Sequence, residues 1–127
     1  MKAYQRVRIT TATPGELVVM LLEGLVRFTL RAKEAILEDQ PVDTAVAVER
    51  AGDIIVALRE ALNHDAAPAM SATLDRTYTA WNVCLVRAHA ERDVESFDAI
   101  AQQMNDLVDA WRTIVRQGAG KTLEVVR

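Results

Sequence analysis

Between Leu17 and Val115, apolar residues recur three and four positions apart, in four blocks divided by turn-forming residues. The first block runs Leu17, Leu21, Leu25, Phe28, Ala32 and Ala35 or Ile36. The second runs Val48, Ala51, Ile55, Leu58 and Leu62. The third is Met70, Leu74, Tyr78, Trp81, Leu85 and Ala88, and the fourth is Phe97, Ala101, Met104, Val108, Trp111 and Val115. This spacing lines one face of an α-helix in each block, and no stretch alternates with the period of a strand. Local signals mark the helix ends. Thr13-Pro14-Gly15-Glu16 reads as a capping box with proline at the first helical position. Pro41 stops the first helix and can start the second. Asn63-His64-Asp65 and Pro68 mark a connection, Asp93 is a helix-capping residue after Glu91-Arg92, and Gly118 with Gly120 ends the fourth helix.

Four helices of roughly 20 to 25 residues joined by short turns predict an all-α fold, an antiparallel up-down four-helix bundle. Residues 1–12 read as a short N-terminal arm, with Lys2, Arg6 and Arg8 interleaved among Tyr4, Val7 and Ile9. Residues 13–117 form the bundle, and 118–127 read as a flexible C-terminal tail.

The first helix carries a second apolar line, Val18, Leu22, Val26 and Leu30, each four residues after the last. Little polar surface then remains between Leu17 and Leu30. Two readings follow. Either this helix is the most buried of the four, or the second line belongs to a groove for a partner's apolar helix. In the second case Tyr4, Val7 and Ile9 of the arm would cover the groove when the partner is absent, and Tyr78 is a further candidate beside it.

Composition agrees with one helical domain: 127 residues, half of them hydrophobic, with five glycines and three prolines. A net charge of −3 offers nothing global to attract nucleic acid or an anionic membrane. The three basic residues of the arm are weak evidence for nucleic acid. The longest apolar run, Leu17 to Leu22, is far below the ~20 residues of a membrane span. The single cysteine, Cys84, excludes an internal disulfide and fits a reducing compartment, so a cytoplasmic location is expected; its own expected place is the core or its boundary.

No enzyme site emerges. Gly118-Ala119-Gly120-Lys121-Thr122 resembles the end of a phosphate loop, but Val115 stands where the first glycine is needed, and a helix rather than a strand precedes it. A di-iron bundle needs Glu three residues before His, whereas Ala61 precedes His64 and Val86 precedes His89. No catalytic residue, metal or cofactor is therefore expected. Glu34, Glu38, Glu49, Asp53 and Glu60 fall on solvated faces, and Tyr78, Trp81 and Trp111 are core anchors first. Binding is what remains.

The segment Thr11-Ala12-Thr13-Pro14, followed by Leu17-Val18, Met20-Leu21 and Glu23-Gly24, resembles the opening helix of the flagellar secretion chaperones, the FliS family. Ala3-Tyr4-Gln5 is similar to that family's N-terminal tyrosine region. Tyr78, Ala88 with Asp93, and Asp109-Ala110-Trp111 continue the likeness over about residues 3 to 115. Leu22, Ala67-Pro68, Ala80, Trp81 and His89 depart from its usual residues. The resemblance implies a cytoplasmic four-helix chaperone that binds the C-terminal helical segment of flagellin, prevents premature polymerisation and presents it to a component of the flagellar export gate. It implies Tyr4 as the residue that closes the groove or contacts the gate. The alternative is a four-helix structural or adaptor protein that self-assembles through the same apolar surface. Monomer and homodimer both remain open.

Overall fold

The structure, a computed structural model, describes residues 13–118 and 125–126. It contains helices α1 (Pro14–Leu37), α2 (Pro41–Glu60), α3 (Pro68–Glu91) and α4 (Val94–Arg116). Their boundaries follow from local chemistry. Thr13 accepts the Glu16 N–H at 3.2 Å, and the Glu16 carboxylate accepts the Thr13 N–H at 3.4 Å, so two of the free donors of α1 are satisfied. Pro14, Pro41 and Pro68 each occupy a first turn, where a missing N–H costs nothing. Asp93 caps α4 by accepting the Ser96 N–H at 3.2 Å and its hydroxyl at 2.7 Å. Those bonds from Ser96 hold the Asp93 carboxyl below its ordinary pKa.

The α1–α2 and α3–α4 turns reverse through left-handed residues that are not glycine, Asp39 at φ 54° and Arg92 at φ 53°. In each turn the next residue's N–H bonds back into the last helical turn, Gln40 to Ala35 and Asp93 to Ala88. The Arg92 guanidinium lies 3.4 Å from the Asp39 carboxylate, so the two turns meet at one end of the bundle.

Helix α1 packs closely along both α2 and α4, whereas α3, diagonally across from it, touches α2 and α4 more sparsely. The expected antiparallel bundle is what forms. Small residues allow the close approach: Ala32 and Ala35 of α1 and Ala47 and Ala51 of α2 are buried, and a Cβ added at Gly24 would lie 3.3 Å from the Ile54 δ-methyl. Thr29 is fully buried in this layer; its hydroxyl donates to the Leu25 carbonyl at 2.8 Å and lies 3.4 Å from the Met104 sulfur. At the rim, Lys33 meets Asp98 at 2.8 Å and Arg112 meets Glu23 at 3.1 Å, both joining α1 to α4. Arg59 meets Asp75 at 2.7 Å, joining α2 to α3.

The structure departs from several expectations. Val18 and Leu22 are 3% and 0% exposed, and Val26 is also buried, so the second line of α1 is core rather than free surface. Of the first line, Leu17, Leu21 and Phe28 are half-buried while Leu25, Ala32, Ala35 and Ile36 are buried, so the core axis draws on both lines, along Val18, Leu22, Leu25, Thr29, Ala32 and Ile36. Met70, in the first turn of α3, is 53% exposed, while the next residue, Ser71, is the buried one. Cys84 is exposed rather than core. Finally, the tail is not free throughout: Val126 is buried and pairs with Leu62, because Leu62 needs an apolar cover where α2 ends.

Candidate partner-binding surface

The wide setting of α3 leaves an open groove between α3 and α4, about 370 Å³ in volume. Its α3 wall is Leu74, Thr77 and Trp81, and its α4 wall is Gln103, Asp106, Leu107 and Ala110. The indole ring of Trp81 is buried, and its N–H donates to the Gln103 side-chain oxygen at 3.1 Å across the mouth. One turn beyond the other end of these walls, Met70 on α3 and Ile114 on α4 are exposed. The apolar line from Trp81 to Met70 covers three turns of helix, or about 17 Å. The surface offered is apolar along its floor with a polar rim, the form that receives the apolar face of a helix.

Bulky rings explain the spacing. Tyr78 and Trp81 face inward from α3 with ring centroids 5.7 Å apart, tilted by 52°. They fill the centre and hold the α3 backbone away from its neighbours. Tyr78 is buried, and desolvation pushes its phenol well above the ordinary tyrosine pKa, so it acts as a neutral core ring.

On its other flank α3 presents Val83 and Val86, while α2 presents Val42, Val46 and Val56, all exposed. Here too the contact is slack: a Cβ added at Gly52 would reach only ordinary contact, 3.5 Å, with the Asn82 side chain.

The sequence-derived candidates are therefore dispersed. Tyr4, Val7 and Ile9 lie outside the described residues. Val18, Leu22, Val26 and Tyr78 are core, and Leu30 is half-buried against the core. None of these five lines the α3–α4 groove. The groove residues Leu107 and Ala110, with Ile114 one turn beyond them, are not among those candidates. Their signal was available, a second apolar line on α4 one position before Val108, Trp111 and Val115. Among the described residues no group of three or more His, Cys, Asp and Glu side chains is placed to hold a metal ion, and no helix is long and apolar enough to cross a membrane.

Residues 1–118 match the family model described as flagellar protein FliS. The flagellar secretion chaperone FliS of Bacillus subtilis (strain 168) is 31% identical over 114 residues, covering 90% of this chain and 84% of its own. The flagellar secretion chaperone FliSB of Pseudomonas aeruginosa is 27% identical over 115 residues, covering 87% and 91%. In fold, the chain is similar to a crystal structure of a flagellar chaperone from bacteria, with a TM-score of 0.77 at 23% identity over 91% of this chain and 96% of that one. The chain belongs to the flagellar protein FliS family, whose members in B. subtilis and P. aeruginosa are flagellar secretion chaperones.

Proposed function

We propose that this protein is a non-enzymatic cytoplasmic export chaperone that binds the C-terminal helical region of flagellin. In this reading it prevents premature polymerisation and aids delivery to the flagellar export gate. The observation that carries the reading is the apolar groove between α3 and α4, in a chain of this family. A segment destined for a filament core has an apolar face that self-associates when left bare. A preformed groove covers that face, and the segment's loss of entropy on ordering is offset by the burial. No nucleotide is required for such binding.

The arm residues Tyr4, Val7 and Ile9 complete the proposal as a temporary cover for the groove. Val18, Leu22, Val26, Leu30 and Tyr78 support binding from beneath, by setting where α3 and α4 stand, rather than by touching the partner.

Titration with a flagellin C-terminal peptide, followed by calorimetry and circular dichroism, tests this. A soluble one-to-one complex with gained helicity is expected. Leu107→Asp should weaken it about tenfold or more, as loss of one apolar anchor does at such surfaces, with the free chain's helicity unchanged. A fluorophore on the exposed Cys84 reports docking independently. No complex, or full affinity in Leu107→Asp, would refute the groove. Light scattering across a concentration series separates the self-assembly alternative, which requires growth in mass without flagellin. Deleting residues 1–10 should raise dye binding while the bundle stays folded; no change in dye or peptide binding removes the arm from the proposal.

A further inference from the structure

At the end of the bundle where α2 gives way to α3, the last described residues return to the core. The Val125 carbonyl accepts the Asn63 N–H at 2.8 Å, and Val126 pairs with Leu62 in an isolated antiparallel bridge. Val126 is 4% exposed and Leu62 is fully buried. The receiving side has bonds of its own. Three bonds fix Asn63 without the tail: its side-chain oxygen accepts the Ala66 N–H at 3.2 Å, and its carbonyl accepts the Ala67 N–H at 3.1 Å and the Ser71 hydroxyl at 3.0 Å. Ser71 is itself fully buried. The receiving corner thus keeps its shape if the tail departs, and it then presents one backbone donor beside an apolar hollow over Leu62. The tail, among the described residues, is held by a single backbone hydrogen bond and the packing of Val125 and Val126.

We propose that this corner is a peptide-receiving site whose resident occupant is the chain's own tail, and that a partner segment with two adjacent branched aliphatic residues displaces it. The occupant shows the required chemistry: a carbonyl for the Asn63 N–H and a β-branched side chain for the space over Leu62. A tethered occupant competes at an effective concentration of the order of millimolar, so an outside segment succeeds by binding better or by arriving while the tail is away. The corner lies at the bundle end where α3 begins and α4 finishes, the same end as Met70 and Ile114. A chain leaving the α3–α4 groove in that direction runs towards it. The inference stands apart from flagellin binding, and its test contains no flagellin.

The test uses full-length protein and NMR of the Leu62 and Asn63 amides. Val126→Asp puts a carboxylate where an apolar group is buried and should release the tail. The Asn63 resonance should then shift and its amide exchange should speed up by about tenfold or more, while amides in the middle of the helices stay protected. Adding the peptide of residues 119–127 should return Asn63 towards its wild-type position. Wild-type protein should need about tenfold more peptide for any response, and the same peptide with both valines replaced by Asp should give none. If Val126→Asp loses helical circular dichroism, Val126→Ala takes its place under the same criteria. Unchanged Asn63 exchange in the variant, no return with peptide, or equal binding by wild type and variant would overturn the proposal. A wild-type dimer that Val126→Asp abolishes would overturn it as well, by making the tail's partner a second copy.

Discussion

Helices α1 and α3 have 24 residues each, yet ten residues of α1 are buried against six of α3. Helix α1 achieves this with small residues at its contacts, among them Gly15, Gly24, Ala32 and Ala35, which let two neighbours approach closely. Helix α3 buries a tyrosine and a tryptophan instead, whose rings reach the centre while its backbone stands off. Of the two readings that α1's apolar excess allowed, burial is the one realised. The helix richest in apolar residues is the best hidden, and the less apolar α3 borders both the open groove and the exposed valines of the α2 side. An apolar surplus in one helix therefore measures how closely its neighbours pack against it. Open binding surface arises where packing is loose.

The most forceful way to break this comparison is Leu22→Ala. If Leu22 is central core, chemical denaturation should show a loss of about 2–5 kcal/mol, whereas a groove residue would lose far less. A loss near zero would mean that Leu22 is surface after all. Next comes Gly24→Val. Its branched side chain must displace the Ile54 δ-methyl, 3.3 Å from the first added carbon, and overpacking of this kind costs about 1–3 kcal/mol. The matching change on the slack side is Gly52→Ala. Its methyl meets only the Asn82 side chain, at 3.5 Å, and it gains helix propensity, so thermal melting should show stabilisation of about 0.5–1 kcal/mol. If both glycine changes have the same sign, the α1–α2 and α2–α3 contacts are not as different as described.

The smallest effect concerns the turn that leads out of α3. Asp93 has a lowered pKa in the folded chain because Ser96 donates to it twice. A lowered folded value means that the carboxylate's contribution is whole above the ordinary aspartate pKa of 3.8. It is lost as pH falls through the lower folded value. Asp93→Asn should therefore flatten the acid-side fall of the denaturation midpoint and leave the curve above pH 5 parallel to wild type. An unchanged acid slope would show that the cap does not titrate with folding.

Much of the bundle was legible because its signals are local. A capping box, three prolines and an aspartate with Ser96 three residues on are each decided within one helical turn, and each helix starts where they stand. The core stripe of α4 was equally readable: Phe97, Ala101, Met104, Val108 and Trp111 are all buried. In α1 the choice was real. Two lines at helical spacing lie only a fraction of a turn apart, and periodicity cannot rank them until the positions of both neighbours are known. Cys84 was misjudged for a related reason: one turn before Ala88 it has the right residue type for a core, yet it falls outside the arc that α3 buries.

The sequence by itself determined that this chain makes four amphipathic helices, where they begin and how they reverse, because hydrogen-bond donors at helix ends must be satisfied by residues nearby. Tertiary structure alone decided how α1's two apolar lines share the core, that Gln103 reaches Trp81 across an open groove, and that Val126 covers Leu62. Those outcomes depend on distances between helices. These are set by the volumes of side chains far apart in the sequence, such as Tyr78 and Trp81 on α3 against the alanines of α1 and α2.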